Sequence, residues 1–144
     1  MVGKGAGMKF VRRMKKYHNK PFRPDGVDDT GYGCYGLVYA YCRDIGKPIP
    51  DSYGDWTIQN YFSRFQEDPR AAEDVLVTVF ESIGTEVNIS DLLAGDLIIV
   101  KIEDGLFPAI YCGNGKFMAS YLDVGVRVFE IDSTKMAVAM ARRV

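Results

Sequence analysis

The stretch Gly33-Cys34-Tyr35-Gly36-Leu37-Val38 decides how the chain is read. It closes a loop, Asn19–Gly33 (NKPFRPDGVDDTGYG), dense in Pro, Gly, Asp and Asn, and opens an apolar segment, Cys34–Ile45 (CYGLVYAYCRDI). Gly46 supplies a helix stop, and Pro48 and Pro50 prevent continuation. A buried helix is therefore expected over 34–45, with a cysteine in its first turn. Free backbone N–H groups and the helix dipole favour a thiolate at that position.

Upstream, Met8–Tyr17 fits a short helix with Met8, Val11, Met14 and Lys15 on one face, after a flexible leader Met1–Gly7. Residues 1–23 form a basic arm: Lys4, Lys9, Arg12, Arg13, Lys15, Lys16, Lys20 and Arg23, with no acid. The rest of the chain then holds ten positive against nineteen negative residues. A basic arm on an acidic body could grip an acidic partner surface or nucleic acid, although a solvated first helix with a flexible leader is the simpler reading. No aromatic interleaving or nucleic-acid motif accompanies the charges, which disfavours nucleic acid as a partner.

Downstream, Asp55 or Thr57 is expected to start a helix running to about Phe65. Asp68-Pro69 is a capping carboxylate followed by proline, and predicts a second helix to about Ile83, closed by Gly84. Its run VLVTVF also fits a strand. The second half changes character: Asp96–Ile102, Phe107–Cys112, Lys116–Ser120, Val126–Ile131 and Ala137–Ala141 are short apolar or β-branched runs. Gly113-Asn114-Gly115 and Asp123–Gly125 supply turns. Helices first and an antiparallel meander of about five strands afterwards define an α+β class. The expected organisation is one domain over 1–144, with the arm at 1–23, a helical insertion at 55–83 and the sheet at 96–141. Trp56, Tyr61, Phe62 and Phe65 in the insertion are candidates for core or interface, with core the default.

The chain has 144 residues, enough for one domain with a real core, and it holds one histidine and three cysteines. A single histidine excludes multi-histidine metal sites, and any cysteine–histidine chemistry must use His18. Cys34 and Cys42 fall about 12 Å apart along one helix, too far to bridge, so free thiols are expected. Asp25, Asp28 and Asp29 could hold a cation but fit a solvated turn better. Lys4 in Gly3–Gly7 matches no phosphate loop. No metal or cofactor is expected. No apolar run reaches a membrane span, and the first residues do not read as a signal peptide.

The landmarks together resemble the NlpC-type superfamily of papain-like cysteine peptidases, which cleave peptidoglycan stem peptides. Lys20-Pro21-Phe22 is similar to the segment before the nucleophile loop, and Cys34-Tyr35-Gly36-Leu37-Val38 to the nucleophile helix. Ile49-Pro50 looks like that helix's exit. Leu93-Ala94-Gly95-Asp96-Leu97 resembles the entry to the first central strand. Ala109–Phe117 resembles the hairpin that carries the catalytic histidine, and Ala141–Val144 a common family ending. The aromatic residue after the cysteine is typical of the branch found in phage tails and gene-transfer-agent particles.

The resemblance also implies what is missing. Where the family has an aspartate before the nucleophile, this chain has Gly33. Where it has a substrate-facing tyrosine twelve residues upstream, the chain has Phe22. The general-base histidine position is Phe107, and the polar residue that orients the imidazole is Ala119. Cys34 alone remains, as a vestigial nucleophile. Phenylalanine and alanine can neither take nor deliver a proton. Phe22, Phe107 and Ala119 are read as groove-filling replacements. The expected function is a non-catalytic, peptidase-like structural component of a phage tail tip or baseplate, made in the host cytoplasm and located in the virion. Its expected partners are other hub or tail-tip subunits, met through Lys4, Lys9, Arg12, Arg13, Lys15, Lys16, Trp56 and Tyr61. The alternatives are an active cell-wall endopeptidase or amidase using Cys34 with a non-standard or partner-supplied base, and a domain that binds stem peptides without cutting them.

Overall fold

The computed structural model describes residues 4–144, with side chains from residue 7 onward. Helix α1 spans Lys4–Tyr17, so the helix begins inside the expected flexible leader; Met1–Gly3 lie outside the described residues. Its buried stripe is Met14 and Tyr17 with the half-buried Phe10, a helical period, whereas Met8 and Val11 are exposed. The expected inner face was thus misassigned, because Phe10 and Tyr17 outweigh Met8 and Val11 in apolar area. Arg13 and Lys16 are not free cations: both reach the end of the next helix, at Asp44.

A two-strand ribbon, β1 (Val27–Asp28) with β2 (Gly31–Tyr32), leads into helix α2, Cys34–Asp44. The chain then forms a hairpin, β3 (Ser52–Tyr53) and β4 (Trp56–Thr57), where a helix start was expected. The reason is local. Gly54 turns the hairpin with φ +59°, and Thr57 and Asn60 cap one another, the Thr57 N–H donating to Asn60 Oδ1 at 2.9 Å. Helix α3 therefore starts only at Tyr61 and runs to Glu67. Helix α4, Pro69–Glu81, begins where the Asp68-Pro69 signal put it, with the Ala71 N–H donating to the Asp68 carboxylate at 3.2 Å. VLVTVF is helical.

Six antiparallel strands follow: β5 (Thr85–Glu86), β6 (Leu97–Ile102), β7 (Gly105–Gly113), β8 (Lys116–Tyr121), β9 (Gly125–Glu130) and β10 (Met136–Arg143). A short 3-10 turn at Ile89–Asp91 precedes β6. The spatial order is β5-β10-β6-β7-β8-β9. It is not a plain meander, because β10 returns past three strands to pair with β6. Helix α2 packs on β7 and β8, and α4 touches β7. Alternation splits the sheet's side chains into two layers. Leu97, Ile99, Ile110 and Met118 face the helices with Leu37, Val38, Tyr41 and Phe80. Ile98, Val100, Ala109, Phe117, Ala119 and Ala141 form a second apolar cluster. Asp96, 2% exposed, is paired with Arg143 at 2.8 Å and accepts the Leu93 N–H, locking the entry of β6 to the end of β10.

Candidate functional site at Cys34

The loop before α2 is held by close backbone packing. A Cβ on Gly36 would stand 2.0 Å from the Gly26 carbonyl oxygen, and one on Gly33 would stand 2.7 Å from that of Pro24. Glycine at these positions lets residues 23–26 lie flush on the first turn of α2. Buried Ser120 donates to the Tyr32 carbonyl at 2.6 Å, tying β8 to the same loop, and the Arg23 N–H donates to that carbonyl at 3.1 Å. Tyr35 is buried and donates to the Pro50 carbonyl at 2.5 Å. The position of Cys34 is therefore fixed from both sides.

Cys34 is half-buried and forms one wall of a cavity of about 400 Å³. The other walls are Tyr61, Phe62, Phe65, Gln66 and Pro69 from α3 and α4, Phe107 from β7, and Tyr121 and Leu122 from the end of β8. Four of the five aromatic rings form a chain of contacts: Tyr61–Phe65 at 6.4 Å, Phe65–Phe107 at 6.0 Å and Phe107–Tyr121 at 5.5 Å between ring centres. The lining contains no charged side chain. Burial pushes the Cys34 thiol up to about 12 and holds the phenols of Tyr61 and Tyr121 well above their usual range. The helix terminus expected to favour a thiolate is thus overridden by desolvation. At neutral pH the sulfur is a protonated thiol, and no group in the lining can accept its proton.

The residues singled out in the sequence separate into three places. Phe107 lines the cavity beside Cys34, where a base would have to stand. Phe22 does not line it, but meets Phe62 edge-on, with ring centres 5.2 Å apart. Ala119 is fully buried in the second cluster, among Ala109, Phe117 and Ala141, rather than in the groove. The groove is therefore apolar but not filled. His18 is exposed and does not line the cavity. Cys112 belongs to the helix-facing layer, with Ile110, so the sheet face that meets α2 is the one opposite to Ala109 and Tyr111. All three cysteines are free thiols. Asp28 accepts the Thr30 N–H at 3.0 Å and Asp25 pairs with Arg23, so this acidic loop is a hydrogen-bonded turn; no metal-binding group of three occurs among the described residues.

Of the proposed contact residues, Lys9, Arg12 and Lys15 are exposed on α1, while Arg13 and Lys16 are engaged at Asp44; the Lys4 side chain lies outside the described residues. Trp56, 1% exposed, is core, packed against Tyr35 and Tyr61 at 5.0 and 5.8 Å, and offers no surface to a partner. Tyr61 is also buried, packed among Tyr35, Trp56 and Phe65, and lines the cavity. Sequence reasoning missed Tyr121. The turn closes on Gly113 paired with Lys116, a register that by itself would set 122 opposite 107; a bulge between Tyr111 and Gly113 shifts the pairing to Ile110 with Met118 and Tyr111 with Phe117, which brings 121 opposite 107, and the turn residues alone did not announce that bulge.

A cysteine opening a helix that packs on an antiparallel sheet, with the base position on the neighbouring strand, defines the papain-like class. Residues 19–143 match the NlpC/P60 family, and the chain belongs to it. It is 26% identical over 125 residues to the probable endopeptidase NlpC of Escherichia coli (strain K12), covering 84% of this chain and 66% of that protein. It is 27% identical over 114 residues to protein P54 of Enterococcus faecium, covering 78% of this chain but 17% of that protein. Among solved structures, the NlpC/p60 domain of the peptidoglycan hydrolase SagA superposes with a TM-score of 0.63 at 24% identity, covering 96% of this chain and 98% of that one. RipD of Mycobacterium tuberculosis, described as a non-catalytic NlpC/p60 domain protein adapted to peptidoglycan binding, superposes with a TM-score of 0.56 at 19% identity, covering 96% of each chain. These structural likenesses concern the fold.

Proposed function

We propose that this chain is a non-catalytic member of the NlpC/P60 family, acting by binding and assembly, as a structural component of a phage tail tip or baseplate. One observation carries the loss of catalysis: Phe107 occupies the wall of the Cys34 cavity where a base is required, and every titratable group in that wall is held protonated by burial. A thiol held near 12 is almost wholly protonated at pH 7, and amide cleavage also needs an acid for the departing amine. RipD supports the reading as a relative in which the same fold is described as non-catalytic. The tail setting rests on the aromatic Tyr35 after the cysteine, and the exposed cations Lys9, Arg12 and Lys15 of α1 offer a surface for an acidic partner subunit.

Purified protein incubated with a peptidoglycan stem tetrapeptide is expected to release no fragment detectable by mass spectrometry, and Cys34→Ala is expected to leave particle assembly intact. Turnover that disappears in Cys34→Ala, alone or with a partner subunit present, would establish the peptidase alternative instead.

A further inference from the structure

Helix α1 carries two apolar patterns, and the fold uses only one of them. Phe10, Met14 and Tyr17 face inward, and Arg13 and Lys16 tie the helix to Asp44, so α1 is held in a fixed orientation. The second pattern points outward. Met8, Val11, Arg12 and Lys15 follow the i, i+3, i+4, i+7 rule of one helix face, and they line a shallow groove with Gly7. Met8 is 61% and Val11 54% exposed, and Lys9 is exposed beside them. An exposed apolar pair ringed by cations fits a partner that is both apolar and acidic. It fits a bilayer poorly, because the larger apolar stripe of α1 is turned inward and leaves only two side chains for insertion.

A surface of that kind exists on the same chain. Where the end of α4 meets β5 and β10 lies a groove of about 810 Å³, lined by Glu81, Glu86, Val87, Ile89, Ala139 and Met140. Ile89 is 48% exposed there. Arg142 lines the groove too, but its guanidinium donates to the carbonyl oxygens of Glu81, Ile83 and Gly84. The exposed carboxylates of Glu81 and Glu86 are then the charges left to a partner. Among the described residues, none of Lys9, Arg12, Lys15, Glu81 and Glu86 takes part in an ion pair. The helix face and the groove therefore match in charge and in apolar content. One chain cannot bring them together, because the inward stripe fixes α1 with its outer face turned away from the body. Two copies can.

We propose that the outer face of α1 docks in the α4–β5–β10 groove of a second copy of this chain, with Met8 and Val11 against Ile89 and Met140 and the cations against Glu81 and Glu86. This rests on the assembly reading and names its acidic partner as another copy of the chain. One helix face on one groove is smaller than a permanent interface, so its strength depends on charge. Sedimentation velocity of the whole protein is expected to show a mass that rises with protein concentration at low ionic strength, with association weakened about tenfold in ~0.5 M salt. Arg12→Glu with Lys15→Glu in one variant, and Glu81→Lys with Glu86→Lys in another, should each weaken association by about tenfold or more while keeping the parent Tm. An equal mixture of the two should recover it, since each altered surface then meets an opposite charge on the other variant. Met8→Ser with Val11→Ser leaves every charge in place and should weaken association about fivefold, a result that does not depend on the charge variants folding. A parent that stays monomeric at millimolar concentration, a folded variant that associates like the parent, or a mixture of folded variants that fails to associate would each overturn the proposal. A monomeric parent that sediments with phosphatidylglycerol vesicles would overturn it too, and assign the helix face to a lipid surface. The stem-peptide assay is independent: turnover with self-association intact sinks the non-catalytic reading alone, and a monomer that cleaves nothing sinks the docking proposal alone.

Discussion

Two walls meet at Cys34, and they are built differently. The wall formed by residues 23–33 and the first turn of α2 is backbone against backbone, with Gly26, Gly33 and Gly36 allowing contacts no side chain would tolerate. The wall formed by α3, α4, β7 and β8 is side chain against side chain, and its aromatic rings leave a cavity. The first wall sets where the sulfur is; the second sets what can happen to it. Because the two sit on separate elements, activation can be replaced by aromatic packing while placement survives. Gly33 illustrates the difference. The family's aspartate there would bring a Cβ to 2.7 Å from the Pro24 carbonyl oxygen, so this loop path and that residue exclude each other unless residues 23–26 shift.

The largest effect expected from this contrast is kinetic. Alkylation of Cys34 by iodoacetamide at pH 8 should run about 10³-fold slower than that of an exposed thiol, with a rate still rising toward pH 12, because burial moves the thiol from 9.0 to about 12. A plateau below pH 9 would mean the second wall activates the sulfur after all. The next effect lies in the first wall. Gly36→Ala puts a methyl group where the Gly26 oxygen is, and should cost about 3 kcal/mol or more in denaturant unfolding, against the usual helical preference for alanine. Stability equal to the parent would show that the loop packing is slack. Phe107→His tests the second wall by restoring a base beside the sulfur. Cys34 alkylation at pH 8 should then rise roughly tenfold, while stem-peptide cleavage stays absent because Ala119 leaves the imidazole without an orienting partner.

The smallest effect lies at the far end of α2, outside both walls. Burial alone would raise the Asp44 carboxyl, but hydrogen bonds from Tyr17, Lys16 and Arg43 outweigh it and hold the group below the usual carboxylate range. A depressed folded-state pKa gives stability that is present at neutral pH and lost as pH falls through that value, below about 4. Asp44→Asn should cost about 1 kcal/mol at pH 7 and flatten the acid limb of the stability curve. An unchanged acid limb would locate the acid sensitivity elsewhere.

How much of this could be read from residues follows the range of the interactions involved. Helix α4 was legible because Asp68 and Pro69 act on their own next turn, and the β7–β8 hairpin because Gly113-Asn114-Gly115 turns the chain locally. The β3–β4 hairpin was not, since its strands are two residues long and Asp55 and Thr57 also suit a helix start. The pairing of β10 with β6 joins residues about forty positions apart, and no local pattern announces it. At the site, a phenylalanine at 107 on the strand beside Cys34 was legible, and the structure places it in the cavity wall. The cavity and the place of Tyr121 in its wall were not, because both depend on α3 and α4 closing over the end of the sheet.

The return of β10 also fixes an order of events during synthesis. This strand lies between β5 and β6, so the sheet cannot be completed until residue 143 has left the ribosome, although β6 to β9 are available earlier. Until then β6 carries an apolar run, Leu97–Val100, on an open edge able to pair with another chain. The growing polypeptide therefore leaves this apolar edge uncovered until β10 emerges, and that interval is where chaperone dependence should be sought.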